Sequence, residues 1–266
     1  MRDIAVAVTL YNNEKEVIEF AKGLLKQTVI DRIQLIVTCN ACKNIVKFRS
    51  LLIKELPSAM VFDPKENLGY LNGCLFGVNQ TGFAYSWVMI SNTDIEFMED
   101  NFFEKALMNV GEDVWCIGSD IILSTSGTHQ NPFLIERPSR KKMLIWKTVY
   151  SAYPLFWLYF KLSELKSKKV QNTIKKNQFV YAVHGSCFFL RNECAKKISL
   201  ESKRVFMYGE ELLVAESIHK NNKKCLFNSK ISIVHNENQV TSGICLKRKQ
   251  KWFDQSFSFL CNFYQE

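Results

Sequence analysis

The chain lacks any apolar run long enough to cross a bilayer: its most apolar stretch, residues 143–160, is broken by Lys147 and Pro154 and falls short of the roughly 20 residues a spanning helix needs. It also lacks the apolar core of a secretory leader, since Met1-Arg2-Asp3 runs straight into a strand-like segment at 4–9, and the protein is expected to stay in the cytosol. Neither an internal repeat nor a low-complexity tract is present. With 266 residues, 47% of them hydrophobic and 23% charged, the composition excludes a disordered tail and suits one compact α/β domain.

Cysteine pairs are scarce as well. The nine cysteines are scattered singly, and several lie in apolar runs such as 185–190, where small buried thiols are common. Cys39-Asn40-Ala41-Cys42 has the spacing of a redox or zinc half-site, but no second such pair accompanies it, which favours reduced thiols. Acidic residues are the minority charge. Lysine and arginine outnumber aspartate and glutamate by 35 to 26, and the resulting +9 suits an anionic partner: nucleic acid, nucleotide or an acidic lipid surface. The excess is concentrated between 140 and 176, where ten basic residues face one acid, Glu164.

What is present is a βαβ rhythm. Strand-like runs at 4–9, 34–38, 59–62 and 85–91 alternate with helical patterns at 14–27, 43–56, 69–79 and 102–109, which predicts a mainly parallel sheet. In such a sheet ligands sit beyond the carboxyl ends of the strands, so the polar ends at 9–12, 38–40 and 91–94 are the first place to look for a site. Residues 114–123 read as a further strand and 124–140 as a loop. After the aromatic and basic stretch 143–165 come strands at 179–183, 186–190, 224–227 and 231–235, with helices at 193–198 and after Glu210.

Three constellations carry chemistry. Asn92-Thr93-Asp94 places a carboxylate just past a buried strand, where it can hold a divalent cation bridging two phosphate oxygens or simply cap the next turn. Glu210-Glu211 opens a helical run, which satisfies the first-turn preference for acids and also holds a general base rigidly at a cleft. His235 leaves a strand at its rim and offers a neutral imidazole either as a metal ligand or to a structural hydrogen bond.

Taken in order, Val8-Thr9-Leu10-Tyr11-Asn12, Asn67-Leu68-Gly69-Tyr70, Ser91-Asn92-Thr93-Asp94, His184-Gly185-Ser186, Phe206-Met207-Tyr208-Gly209-Glu210-Glu211 and Val234-His235 resemble family 2 glycosyltransferases, most of all the bacterial branch that builds O-antigen, capsule and rhamnan chains. The resemblance implies a GT-A fold with a mainly parallel sheet flanked by helices and an aromatic and basic helical insertion. It implies an inverting hexosyl- or rhamnosyltransferase that uses a nucleotide-diphosphate sugar and Mn2+ or Mg2+ in polysaccharide biosynthesis. By the same resemblance Asp94 and His235 are metal ligands, and Glu211 is the base with Glu210 as second candidate. Thr9, Tyr11, Asn12, Asn40, Asn67, Gly69, Asn92 and Asp94 would bind the nucleotide sugar. Two departures stand out: Asn92 and Cys39 occupy positions where the family commonly has aspartate, and neither supplies its charge.

As domains, the reading gives one unit over 1–266: a nucleotide-sugar half at 1–113, an acceptor half at 114–240 that includes a membrane-facing segment at 141–176, and a C-terminal basic and aromatic helix at 241–266. The acceptor implied is a saccharide linked to a polyprenyl diphosphate. The segment 141–169 is expected either to lie on the anionic inner face of the cell membrane or to pack internally, and a homo-oligomer stays open. Two other readings compete. One is a nucleic-acid-binding protein, suggested by aromatics near lysines but without a recognisable nucleic-acid module; the other is a weakly active glycosyltransferase-like scaffold.

Overall fold

The computed structural model describes residues 2–167, 176–236 and 243–264, with the backbone alone at 164–167. Lys168, Lys169 and Lys175, part of the segment assigned to a membrane above, lie outside the described residues. The helices and strands, in chain order, are β1 (Ile4–Tyr11), α1 (Glu14–Leu25), β2 (Ile33–Ala41), α2 (Ile45–Glu55), β3 (Met60–Phe62), α3 (Leu71–Gln80), β4 (Trp87–Ser91), β5 (Ile95–Phe97), α4 (Phe102–Leu107), β6 (Val114–Leu123), α5 (Arg140–Ser151), α6 (Tyr153–Ser167), β7 (Gln178–Val180), β8 (Cys187–Arg191), α7 (Asn192–Ile198), α8 (Glu210–Lys220), β9 (Lys224–His235) and α9 (Leu246–Phe263).

One sheet holds all nine strands, in the order β3-β2-β1-β4-β8-β6-β9-β5, with β7 also pairing β9. Six strands share one direction, and β5, β7 and β8 oppose them. The mainly parallel sheet expected from the βαβ rhythm is therefore present. Its centre is covered on both faces, which explains why β1 and β4 read as continuous apolar runs. Side chains alternate across it: Ile4, Val6, Val8 and Leu10 point toward α1, α2 and α4, whereas Ala5 and Ala7 join the core under α3, α7 and α8. Each fully buried valine, leucine or isoleucine contributes roughly 1.5–3 kcal/mol.

Two elements differ from the sequence reading. The strands anticipated at 224–227 and 231–235 are one, β9, whose pairing with β6 shifts register between Ser119 and Asp120. The polar Asn228-Ser229-Lys230 is a bulge within that strand rather than a break, and Asn228 Oδ1 accepts a bond from Lys230 N there. The stretch 143–165 divides into α5 and α6. Among the described residues no helix is long and apolar enough to cross a membrane.

The topology gathers the motifs. Because β8 runs against β4, its start at 184–186 lies beside the end of β4, and Asn92 N donates to Ser186 O at 2.8 Å. The end of β9 lies beside β5, where His235 faces Ile95 and Asn236 N donates to Asp94 O at 2.8 Å. Residues 92–94, 184–186 and 235 thus meet at one edge of the sheet.

Candidate active site

Asp94 and His235 form the centre of this edge. Both side chains are largely buried, and His235 Nε2 lies 3.3 Å from Asp94 Oδ1 and 3.3 Å from Asn92 Nδ2. The other ring nitrogen, Nδ1, is 3.0 Å from Gln130 Oε1. A carbonyl oxygen can only accept, so Nδ1 carries a proton and donates to Gln130, which fixes the ring with Nε2 facing the Asp94 carboxylate. A proton or a cation between Nε2 and Oδ1 would join the two groups. Glu16 adds to the negative field, since burial first and then the charge of Asp94 hold its carboxyl above the ordinary range despite a bond from Asn13. Among the described residues no group of three or more His, Cys, Asp and Glu side chains is placed to hold a metal. One carboxylate and one imidazole still fit a Mg2+- or Mn2+-like ion that takes its remaining ligands from substrate phosphates and water.

The surrounding loops are tied to this pair. Asn13, rather than the neighbouring Asn12, bridges the end of β1 to the 92–94 loop: its Nδ2 donates to Thr93 Oγ1 at 2.8 Å and its Oδ1 accepts from Tyr11 N at 2.7 Å. Asn12 adopts a left-handed φ of 56° and its N–H bonds Ala41 O, while Tyr11 remains exposed. Asn40 holds the 67–69 loop from behind, donating to Gly69 O at 2.7 Å and accepting from Leu68 N at 3.0 Å. Asn67 Oδ1 accepts from Gly69 N at 2.9 Å. Gly69 itself has φ 78°, and a Cβ there would run into the carbonyl oxygen of Phe206, so only glycine allows this close approach. The side-chain methyl of Thr9 packs against Gly73 of α3, which takes no larger residue without displacing it.

Cys39 lies nearby at the end of β2, its thiol pushed up to about 12 mainly by burial, while Cys42 bonds the Glu14 carboxyl. Neither is a thiolate at neutral pH, and all nine cysteines are free.

The acidic pair closes the other side. The turn before α8 needs left-handed backbone at Tyr208 and Gly209, and Gly209 caps the helix without a side chain. Glu210 and Glu211 take over that role by accepting backbone N–H groups at the helix start. Glu211 Oε1 also accepts from Gly185 N at 3.2 Å, and Tyr70 OH donates to Gly185 O at 2.8 Å. Glu211 is thus one residue removed from the Ser186 carbonyl that anchors Asn92. Glu210 turns inward and is 5% exposed, whereas Glu211 is half-buried. Burial raises both carboxyl pKa values, and the charge of Glu211 raises Glu210 further.

His184, half-buried beside His235 with ring centroids 6.4 Å apart, is pulled down to about 4 by desolvation and then by His235. Its Nδ1 accepts from Ser186 N at 3.2 Å, so it is neutral with its proton on Nε2. Asn13, Gln130 and His184 were not singled out by the sequence as site residues. Gln130 carries no signal at all in the chain, being one polar residue in a loop.

The raised carboxyl pKa values set a pH dependence of stability. The folded state binds these protons more tightly than the unfolded chain, so stability is greatest near the unfolded carboxyl pKa and falls as pH rises through the folded values. Glu210→Gln removes the buried charge and keeps an acceptor oxygen for the backbone. It is expected to raise Tm by at least about 2–4 °C above neutral pH, the effect of about 1 kcal/mol in a chain of this size, and to have little effect near pH 5. Thermal denaturation of both proteins across pH checks this; a variant less stable at every pH would contradict it.

No protein-family model matches the chain, and no curated protein matches it in sequence. Many solved structures resemble it, among them the following three. GalNAc-T7 with UDP, GalNAc and Mn2+ has a TM-score of 0.61 at 13% identity, covering 94% of this chain and 48% of that one. The mannosyltransferase PcManGT from Pyrobaculum calidifontis, in complex with GDP-Man and Mn2+, has a TM-score of 0.59 at 11% identity, with 99% and 70% covered. S. aureus TarS has a TM-score of 0.58 at 13% identity, with 89% and 37% covered. The chain therefore spans about half the length of the GalNAc-T7 chain and just over a third of the TarS chain. These likenesses show a shared fold, and the fold is of the GT-A type expected above.

Proposed function

We propose that this protein transfers one sugar from a nucleotide-diphosphate donor to a hydroxyl of a saccharide acceptor, with inversion at the anomeric carbon. The observation that carries this reading is the convergence of Asp94, His235 and Glu211 on one sheet edge through the 184–186 segment. Solved structures of the same fold support it, two of them carrying UDP or GDP-Man together with Mn2+. Asp94 and His235 would hold Mn2+ or Mg2+, which supplies charge compensation to the departing diphosphate. The 9–12 and 67–69 loops, fixed by Asn13 and Asn40, would form the nucleotide side, with glycine at 69 allowing close backbone approach. Glu211 would take the acceptor proton as the acceptor oxygen attacks the anomeric carbon, while the bond from that carbon to the diphosphate oxygen breaks and its electron pair leaves with the diphosphate. A saccharide carried on polyprenyl diphosphate, as in bacterial surface polysaccharide synthesis, is the acceptor class that the motif resemblance favours.

A thermal-shift series of nucleoside diphosphates with and without Mn2+ tests the donor side. A ligand present at 100 times its Kd should stabilise by about 2.7 kcal/mol. The expected result is a rise in Tm that requires both nucleotide and Mn2+; no rise with any nucleotide, at Mn2+ and nucleotide concentrations well above micromolar, would overturn the reading.

A further inference from the structure

Among the described residues, helices α5 and α6 are covered on one side only. On the inner side, Met143, Tyr150 and Phe156 are buried, and Tyr150 meets Phe253 and Phe257 of α9 at ring-centroid distances of 4.9 and 4.6 Å. This settles the internal packing of the hairpin. On the outer side, Ile145, Leu155, Trp157, Leu158 and Leu162 are 60, 44, 47, 50 and 49% exposed. Leu155, Leu158 and Leu162 follow the i, i+3, i+7 spacing that makes one stripe along a helix. A helix apolar on all sides is ordinarily covered on all sides, and an exposed patch of this kind marks a surface that meets a partner.

Charge identifies the partner. Of the charged residues at 140–163, Arg140, Lys141, Lys142 and Lys161 are exposed, Lys147 is half-buried on the side facing Cys261 of α9, and none is aspartate or glutamate. A second copy docking through the same face in a two-fold dimer would set these cations against themselves, which costs affinity. An anionic bilayer is complementary to both features: leucines enter the acyl boundary, Trp157 and the half-exposed Tyr153 suit the headgroup level, and the lysines meet lipid phosphates. We propose that the outer face of the α5–α6 hairpin is a docking surface for an anionic membrane. This does not rest on the transferase reading, because vesicle binding requires neither donor nor metal.

The test is co-sedimentation of the full chain, without nucleotide, with vesicles of phosphatidylcholine alone and with phosphatidylglycerol added. Binding is expected only with the anionic lipid and should weaken as salt is raised. Arg140→Gln with Lys141→Gln should weaken it roughly thirtyfold, from two charges near the surface. Leu155→Asn, Leu158→Asn and Leu162→Asn together should weaken it at least about tenfold by removing the apolar contact. These leucines are exposed, so Tm should change little, and Leu158→Asn alone serves if the triple variant does not fold. Equal and negligible sedimentation with both lipids would overturn the proposal. So would a concentration-dependent dimer, seen by sedimentation velocity, that the leucine variant dissolves, since the face would then belong to a second copy.

Discussion

Glu211→Gln is expected to lower turnover at least about a hundredfold, the lower end of what a positioned general base contributes, while donor affinity stays within a few-fold. The two glutamates are neighbours at a helix start and point roughly a hundred degrees apart, so they do not share one role. Glu210 is 5% exposed and bonds the backbone around Tyr208, which directs it into the protein. Glu211 is half-buried and bonds Gly185, in the segment whose next residue anchors Asn92. On the proposed reading a base must reach the acceptor, and Glu211, the less buried of the two, would be the one to do so. Burial also raises its pKa, which strengthens it as a base and predicts activity that rises with pH as the carboxyl ionises. In Glu211→Gln that limb of the pH profile should disappear, because the amide keeps the shape and takes no proton. Steady-state kinetics of both glutamine variants decide the assignment. Full activity in Glu211→Gln with loss in Glu210→Gln moves the base back one residue; full activity in both would remove the inverting mechanism.

The parts of this site legible in the sequence are those whose signal is local. Strands β1, β2 and β4 are visible because burial on both faces writes an unbroken apolar run; Asp94 and His235 follow such runs and Glu211 opens a helical one, but their proposed roles come from the motif resemblance. Non-local pairing was not legible. Nothing in residues 187–191 says that they insert antiparallel between β4 and β6, yet that insertion brings Gly185 to Glu211 and Ser186 to Asn92. The bulge in β9 was read as a gap because Asn228-Ser229-Lys230 looks like a turn when its partner strand is unknown. The same limit hid Gln130, 105 residues from the histidine whose ring it orients. Asn12 is named by the motif resemblance, whereas the bond of Asn13 to Thr93 is visible only in the fold.

Asp94→Ala is expected to abolish the Mn2+-dependent part of nucleoside diphosphate binding. Asn92 stands where a second carboxylate is common, and its amide brings none, so Asp94 is the only anionic side chain in the 92–94 loop. His235 is held by Gln130 with Nε2 toward Asp94 Oδ1, 3.3 Å away, and an imidazole without a charged oxygen donor beside it binds Mg2+ or Mn2+ weakly. Glu16 does not replace the lost carboxylate, because its Oε2 accepts from Asn13, which is itself held on Thr93. Removing Asp94 therefore leaves the diphosphate charge without compensation. Calorimetric titration of nucleoside diphosphate should show tight binding to the unmodified protein only with Mn2+ present. In Asp94→Ala the titrations with and without Mn2+ should coincide at the weak, metal-free affinity. Asp94→Asn separates charge from shape: it should behave like the alanine variant if the carboxylate acts through its charge, and a Mn2+ dependence preserved in both variants would remove Asp94 from the metal site.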